Sequence, residues 1–169
     1  QEARTEGPCI RASEWYWSVT SGATPAGNYG CELWLSRTLS WKGFLADVYI
    51  QANDIVIVYY DHRHLLVSVR GSAVVADFLV AHGPHRGSSD LQAEKAYKGW
   101  CRHLRDIAAR RQTPSIPLFV MVDSNIPMPE LGADTADAEP SHPGVYSFTQ
   151  LLARMSLCIP AVIPGCAQG

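Results

Sequence analysis

Three short apolar runs in the middle of the chain constrain its fold more than any other feature. They cover residues 55–60, 65–69 and 74–81, and each is bounded by charged or small residues. The linkers between them hold four residues each, which is too short for the crossover helix that parallel neighbours require. The sequence therefore predicts three consecutive strands that pair as an antiparallel meander.

A second pair of strands is predicted nearer the start of the chain. Residues 15–20 and 31–36 are rich in aromatic and β-favouring side chains, and the ten residues between them contain the Gly, Pro and Asn of a loop. These two segments should pair as neighbours in a sheet.

The pattern changes to helical spacing between residues 88 and 111. Ser89 and Gln92 have the spacing of a capping box at the start, and Pro114 and Pro117 follow the end. Apolar residues recur at steps of three and four: Tyr97, Trp100, Cys101, Leu104 and Ala108. We expect an amphipathic helix that packs one face on the core.

Four further segments complete the predicted domain. Residues 118–122 are wholly apolar, which is typical of a strand that a sheet buries on both faces. Residues 126–143 form a long loop without periodicity, as expected of an active-site rim or a mobile segment. Residues 146–157 predict a second helix, and residues 158–164 a possible strand that Pro160 interrupts.

Composition limits the classes of protein that are possible. The 169 residues are 47% hydrophobic and 18% charged, which suits one globular domain with a real core. The net charge of −2 provides no global attraction for nucleic acid, so such a partner must be bound by a local site. Five cysteines without a C-x-x-C pair favour a reduced, intracellular (cytoplasmic or nuclear) setting, and no run is long enough for a membrane span.

Asp123 and Asn125 follow the apolar run of residues 118–122 directly. If the strand continues, their side chains point to the same side at the edge of the sheet. A carboxylate can hold a divalent ion or accept a proton from water, and an amide can donate to an oxygen that gains charge. The alternative is that Asp-x-Asn simply opens a turn, since both residues bond readily to local backbone amides.

Histidines supply a second candidate group. His82 ends the run of residues 74–81 and precedes Gly83, where an imidazole can polarise a phosphate oxygen or pass a proton. The alternative is a partly buried structural histidine. His62, His64 and His85 are expected to be loop or surface residues without a catalytic role.

A resemblance gives these residues a common context. Taken in order, Gln1-Glu2, residues 81–84 (AHGP) and residues 122–125 (VDSN) resemble three successive motifs of the endonuclease/exonuclease/phosphatase superfamily. The order of strand pairs, helix and Asp-x-Asn strand also resembles that of the superfamily. Within the superfamily, the motifs most resemble those of retrotransposon endonuclease domains. The resemblance implies a partial four-layer α/β sandwich, with two mostly antiparallel sheets packed face to face and helices outside.

The resemblance also implies roles. Glu2 would bind the divalent metal, Mg²⁺ or Mn²⁺, while His82, Asp123 and Asn125 would hold water and the scissile phosphate. The implied activity is metal-dependent phosphodiester hydrolysis. We expect the substrate to be a nucleic acid, DNA in particular, and not a lipid or inositol phosphate. The phosphate contacts could come from basic residues if these share a face, namely Arg63, Arg70, Arg86, Lys95, Lys98 and Arg102.

Residues 1–169 depart from the family pattern in two ways. Val122 stands where glycine is usual and Ser124 where an apolar residue is usual, which could alter how Asp123 is presented. No Ser-Asp-His occurs, although the family ends on an Asp-His segment whose histidine is the principal acid/base. We therefore expect residues 1–169 to be one incomplete domain, cut from a longer protein, with weak activity or none. A non-catalytic remnant or binding module that keeps the fold is the alternative.

Overall fold

The computed structural model describes residues 6–27, 29–39, 48–72, 74–85, 89–126 and 142–157. Within these ranges the chain forms a three-stranded sheet, a two-stranded ribbon, a four-stranded sheet and two α-helices. Glu2, most of the predicted loop at 126–143 and the possible strand at 158–164 lie outside the described residues.

The first sheet contains three antiparallel strands in chain order: β1 (Cys9–Ala12), β2 (Tyr16–Thr20) and β3 (Glu32–Ser36). The predicted pairing of the second and third is confirmed, with Ser18 opposite Trp34. Strand β1 was not predicted. A short ribbon of β4 (Thr38–Leu39) and β5 (Val48–Tyr49) follows.

The second sheet carries the predicted meander. Strands β6 (Ile55–Asp61), β7 (His64–Arg70) and β8 (Val75–His82) pair antiparallel in sequence order. Strand β9 (Leu118–Asp123) joins on the far side of β8 and runs parallel to it. A parallel neighbour needs a long connection, and helix α1 lies within that connection.

The two helices are close to their predicted positions. Helix α1 (Asp90–Ala108) begins after Ser89, whose hydroxyl accepts a hydrogen bond from the Gln92 amide at 3.4 Å. Helix α2 (Val145–Arg154) ends three residues before the predicted limit of 157. Neither described helix is long and apolar enough to cross a lipid bilayer.

Two apolar cores define the layers. One lies between the sheets and joins Val19 and Leu33 of the first sheet to Leu65 and Val67 of β7. The other lies between the opposite face of the second sheet and the helices, where Leu66 and Leu79 meet aromatic and aliphatic side chains of α1 and α2. The described residues therefore form an α/β sandwich of two face-to-face, mostly antiparallel sheets with helices outside, as predicted.

Strand β9 differs from its prediction in burial. Its side chains alternate, with Leu118, Val120 and Val122 against the helix-side core while Phe119 and Met121 are 53% and 40% exposed. The expectation of burial on both faces is therefore wrong. The physical reason is that β9 is the edge of the four-stranded sheet in the described part of the chain, where the first sheet covers its inner face incompletely.

Candidate functional site at the ends of strands β8 and β9

His82 and Asp123 come together at the ends of two parallel strands. They are register partners in the β8–β9 pair, and His82 Nδ1 lies 3.8 Å from Asp123 Oδ2. Ligands of α/β sheets bind where the carboxyl ends of parallel strands meet. The sequence had placed each residue at a strand end, and the parallel register makes them neighbours.

Asp123 uses its two carboxylate oxygens differently. Oδ1 accepts a hydrogen bond from the Asn125 backbone amide at 3.1 Å, which is the local turn that the sequence offered as an alternative. Oδ2 faces His82. The Asp123 side chain is 62% exposed and that of His82 is 16% exposed, so the carboxylate is open to solvent while the imidazole is held within the fold.

Asn125 closes the turn and reaches back to the neighbouring strand. Its backbone has a φ of 54°, a left-handed conformation that asparagine tolerates better than most residues. Its side-chain Nδ2 donates to the Gly83 carbonyl oxygen at 3.2 Å. The carboxamide therefore ties the end of β9 to the residue after His82.

Gly83 lets the two strand ends approach closely. Its amide donates to the Asp123 carbonyl oxygen at 2.7 Å. A Cβ at this position would lie 2.7 Å from the Ser124 carbonyl oxygen, closer than real side chains come, so only glycine fits without moving the backbone. The Gly83 residue thus sets the spacing between His82 and Asp123.

Tyr97 of α1 holds the same two segments from the helix side. Its hydroxyl lies 2.7 Å from the Pro84 carbonyl oxygen and 2.9 Å from that of Ser124, and it can donate to either. Burial raises the pKa of Tyr97 to about 12, and the nearby Asp123 charge adds to that effect. The phenol therefore stays protonated and remains a donor at neutral pH.

A cleft of about 340 Å³ opens beside the pair on the side that faces the first sheet. Leu33 and Trp34 of β3 form one wall, and Met121 of β9 contributes to the other, with His82 and Asp123 in the lining. The Trp34 indole is 56% exposed and lies beside Tyr16 on the outer face of the first sheet, because its neighbours Leu33 and Leu35 face the core between the sheets. The cleft thus brings an imidazole and a carboxylate together beside the edge strand β3.

Among the basic residues that the sequence grouped as possible phosphate contacts, those in the described part of the chain do not share one face. Arg63 lies at the site, with Nη1 3.3 Å from the Gly83 carbonyl oxygen and its guanidinium 4.2 Å above the Tyr29 ring. Arg70 is bonded to the buried Asp77 at 2.7 Å. Lys98 and Arg102 line a separate cavity of about 480 Å³ between the two helices. Arg86 lies outside the described residues.

His64 corrects one expectation from the sequence. It is not a loop or surface residue, because it begins strand β7 and is only 5% exposed. Its Nδ1 lies 2.9 Å from Asp61 Oδ1, and His103 of α1 packs against its ring. The sequence gave no signal for this cluster, since the two histidines are far apart in the chain and meet only when α1 docks on the sheet.

Three comparisons with known proteins found no relative of this chain. No family model, no curated protein and no solved structure matches the chain. The resemblance to the endonuclease/exonuclease/phosphatase superfamily therefore remains a prediction from the motifs.

Proposed function

We propose that this chain is part of a divalent-metal-dependent phosphodiester hydrolase that acts on DNA as an endonuclease. The observation that carries the proposal is the pairing of His82 and Asp123, 3.8 Å apart at the ends of parallel strands. An imidazole and an exposed carboxylate at that distance can orient and deprotonate a water molecule between them. The Asp-x-Asn resemblance assigns the same task to Asp123.

Asp123 is the group that we assign to the attacking water. Its Oδ1 is occupied by the turn, whereas Oδ2 is directed to His82 and to solvent. His82 would then accept a hydrogen bond from the water or donate one to a phosphate oxygen, depending on its protonation. Because Asn125 is tied to Gly83, its contribution would be to position this pair and, on rotation of the carboxamide, to donate to phosphate.

The metal would be held at Glu2 together with the oxygen donors at the strand ends. Glu2 lies outside the described residues. Among the described residues, the Asn125 carboxamide is bonded to Gly83 through its nitrogen, and its oxygen is a donor of the kind that Mg²⁺ and Mn²⁺ prefer. When bound, such an ion neutralises phosphate charge and stabilises the leaving group.

A substrate with a phosphate backbone is supported by one feature beside the pair. Arg63 provides a cation next to Gly83, and phosphate contacts from arginine are the usual means by which proteins hold a DNA backbone. A lipid or inositol phosphate could use the same arginine, so the choice of DNA rests on the likeness of the motifs to those of retrotransposon endonuclease domains.

One observation favours a second candidate function, a non-catalytic binding module. The Asn125 side chain and one Asp123 oxygen are both satisfied within the backbone turn. A protein that had lost catalysis could keep these bonds because they join β8 to β9. The binding module and the enzyme predict different results with an activated substrate.

The experiment is hydrolysis of bis(4-nitrophenyl) phosphate by the purified chain with Mg²⁺. Its nitrophenolate leaves without protonation, so the reaction does not depend on the acid/base histidine that residues 1–169 lack. We expect hydrolysis that requires Mg²⁺ and that falls by about 10²-fold or more in Asp123→Ala, the usual scale for loss of a general base. The matched control is Asp106→Ala on the exposed face of α1.

Absence of Mg²⁺-dependent hydrolysis by a folded wild-type chain would overturn the enzymatic proposal and leave the binding module. Equal rates in the wild type and Asp123→Ala would also overturn it, because the hydrolysis would then come from another site or a contaminant.

A further inference from the structure

A second cluster of potential metal ligands lies on the opposite face of the four-stranded sheet. Asp61 ends β6, His64 begins β7, and His103 reaches them from α1. His64 Nδ1 lies 2.9 and 3.0 Å from the two Asp61 oxygens, and His103 Nε2 lies 3.4 Å from Asp61 Oδ2. One ligand atom from each of the three residues can be chosen so that these atoms all lie within 4.8 Å of one another.

Two of the three groups are held rigidly before any ligand arrives. The Arg63 backbone amide donates to Asp61 Oδ1 at 2.8 Å, and the Tyr59 hydroxyl donates to Asp61 Oδ2 at 2.9 Å. Burial opposes ionisation of Asp61, but the hydrogen bonds from His64 and the Arg63 amide hold its pKa well below the ordinary value. The carboxylate is therefore charged, and His64 is fixed by its burial at the start of β7.

We propose that Asp61, His64 and His103 form a binding site for a divalent transition-metal ion, with Zn²⁺ as the natural choice. Two imidazoles and one carboxylate suit Zn²⁺, Co²⁺ or Ni²⁺ and do not suit Mg²⁺.

Two of the three donor–donor distances are close to those of tetrahedral coordination, and all three are within 4.8 Å. Metal–ligand bonds of about 2.0–2.2 Å place neighbouring donors roughly 3.3–3.6 Å apart in a tetrahedron. Asp61 Oδ2 lies 3.0 Å from His64 Nδ1 and 3.4 Å from His103 Nε2, near that value already. His103 is 41% exposed, so its ring can move to complete the site. The fourth position would be taken by water or by the Tyr59 hydroxyl, which lies 3.3 Å from His103 Nε2.

Metal binding at this site would replace a hydrogen bond. His64 Nδ1 lies 2.9 Å from Asp61 Oδ1, and a metal on that nitrogen must displace this contact. The other ring nitrogen, Nε2, is buried, and no residue in the described part of the chain accepts a hydrogen bond from it. Because ligating histidines normally have such a partner, we expect weaker binding than in closed structural zinc sites.

The proposal is independent of the proposed function. His64 lies opposite Ala81, which belongs to the helix-side core, whereas His82 and Asp123 line the cleft toward the first sheet. Failure of one proposal therefore leaves the other untouched.

The test is titration of the chelator-treated chain with Co²⁺, followed by its visible absorption, in the presence of excess Mg²⁺. We expect one Co²⁺ per chain with the intense bands of tetrahedral coordination, displaced by Zn²⁺. His103→Ala should weaken binding by at least about 10-fold, the lower limit seen when even an outer partner of a ligand is lost. His85→Ala is the matched control because His85 is exposed and stands apart from the cluster.

Asp61→Asn provides a second variant that keeps the size of the side chain, and circular dichroism checks that each variant is folded. Unchanged Co²⁺ affinity in both His103→Ala and Asp61→Asn would overturn the proposal, as would a folded wild-type chain that binds no Co²⁺.

Discussion

His82 and Asp123 are direct register partners at the ends of parallel strands β8 and β9, with Nδ1 and Oδ2 3.8 Å apart. The main-chain register makes the two residues neighbours, and the Gly83 amide and the Asn125 side chain bond the two strand ends to each other. Asp123 thus takes part in both a turn and a candidate reactive pair. Its Oδ1 accepts the hydrogen bond of the turn, and its Oδ2 faces His82.

Alanine substitutions at Gly83 and Gly99 should change the free energy of unfolding in opposite directions. Gly83→Ala places a Cβ 2.7 Å from the Ser124 carbonyl oxygen and should lower the free energy of unfolding by about 1–3 kcal/mol, the usual cost of overpacking. Gly99→Ala meets nothing within 4 Å and lies inside α1, so it should raise that free energy by about 0.5–1 kcal/mol. Urea denaturation measures both.

Gly83→Ala should also slow the hydrolysis of bis(4-nitrophenyl) phosphate, since it separates His82 from Asp123, while Gly99→Ala should leave the rate unchanged. A Gly83→Ala chain as stable and as active as the wild type would contradict the role of Gly83 in spacing the pair.

Plasmid DNA should be a much poorer substrate than the activated diester. Its leaving group is an alkoxide that needs a proton, and general acid catalysis contributes about 10²–10⁴-fold to such reactions. Residues 1–169 contain no Ser-Asp-His to supply that proton. We therefore expect almost no nicking of supercoiled plasmid by the 169-residue chain with Mg²⁺, measured on agarose gels beside an Asp123→Ala preparation.

Efficient nicking that Asp123→Ala abolishes would contradict that expectation and would show that the residues present complete the acid/base chemistry. Equal nicking by both preparations would indicate a contaminating nuclease.

Two buried cysteines predict slow alkylation of the folded chain at mildly alkaline pH. Cys31 is 0% and Cys101 7% exposed, and burial raises the pKa of each thiol to about 12. Alkylation requires the thiolate, so at about pH 8.5, the pKa of a free cysteine, both should remain almost wholly protonated and unreactive in the folded chain. Reactivity should rise only as the pH approaches 12 or as the chain unfolds.

Peptide mass spectrometry after iodoacetamide treatment measures this for each cysteine, with the urea-unfolded chain as the reference. Labelling of Cys31 in the folded chain as fast as in the unfolded one would show that the core between the sheets is not closed.

Much of the fold could be predicted from linker lengths and periodicity. The four-residue linkers left antiparallel pairing as the only option for β6, β7 and β8, and the apolar spacing placed α1 within two residues at its start. Strand β1 was missed because Cys9–Ala12 is mostly exposed and carries no alternation to detect. Its pairing with β2 comes from the neighbouring strand and not from its own side chains.

The site was only partly predictable for a related reason. His82 and Asp123 each follow an apolar run, but their adjacency depends on the parallel register of β8 and β9, which no local pattern encodes. His64 is expected from the sequence to be a loop or surface residue, and it follows the polar residues Asp61, His62 and Arg63. The docking of α1 buries it, and that packing is a property of the tertiary structure.

The most direct test of the proposed site is histidine-ring NMR of the chain with a DNA dinucleotide and Mg²⁺. The proposed site predicts that the ring signals of His82 shift in a saturable way and that those of His85 and His103 do not. The His82 shifts should vanish in Asp123→Ala and persist in Asp106→Ala. Saturating dinucleotide that leaves the His82 signals unmoved, while the chain is folded and Mg²⁺ is present, would contradict a phosphodiester site at the ends of β8 and β9.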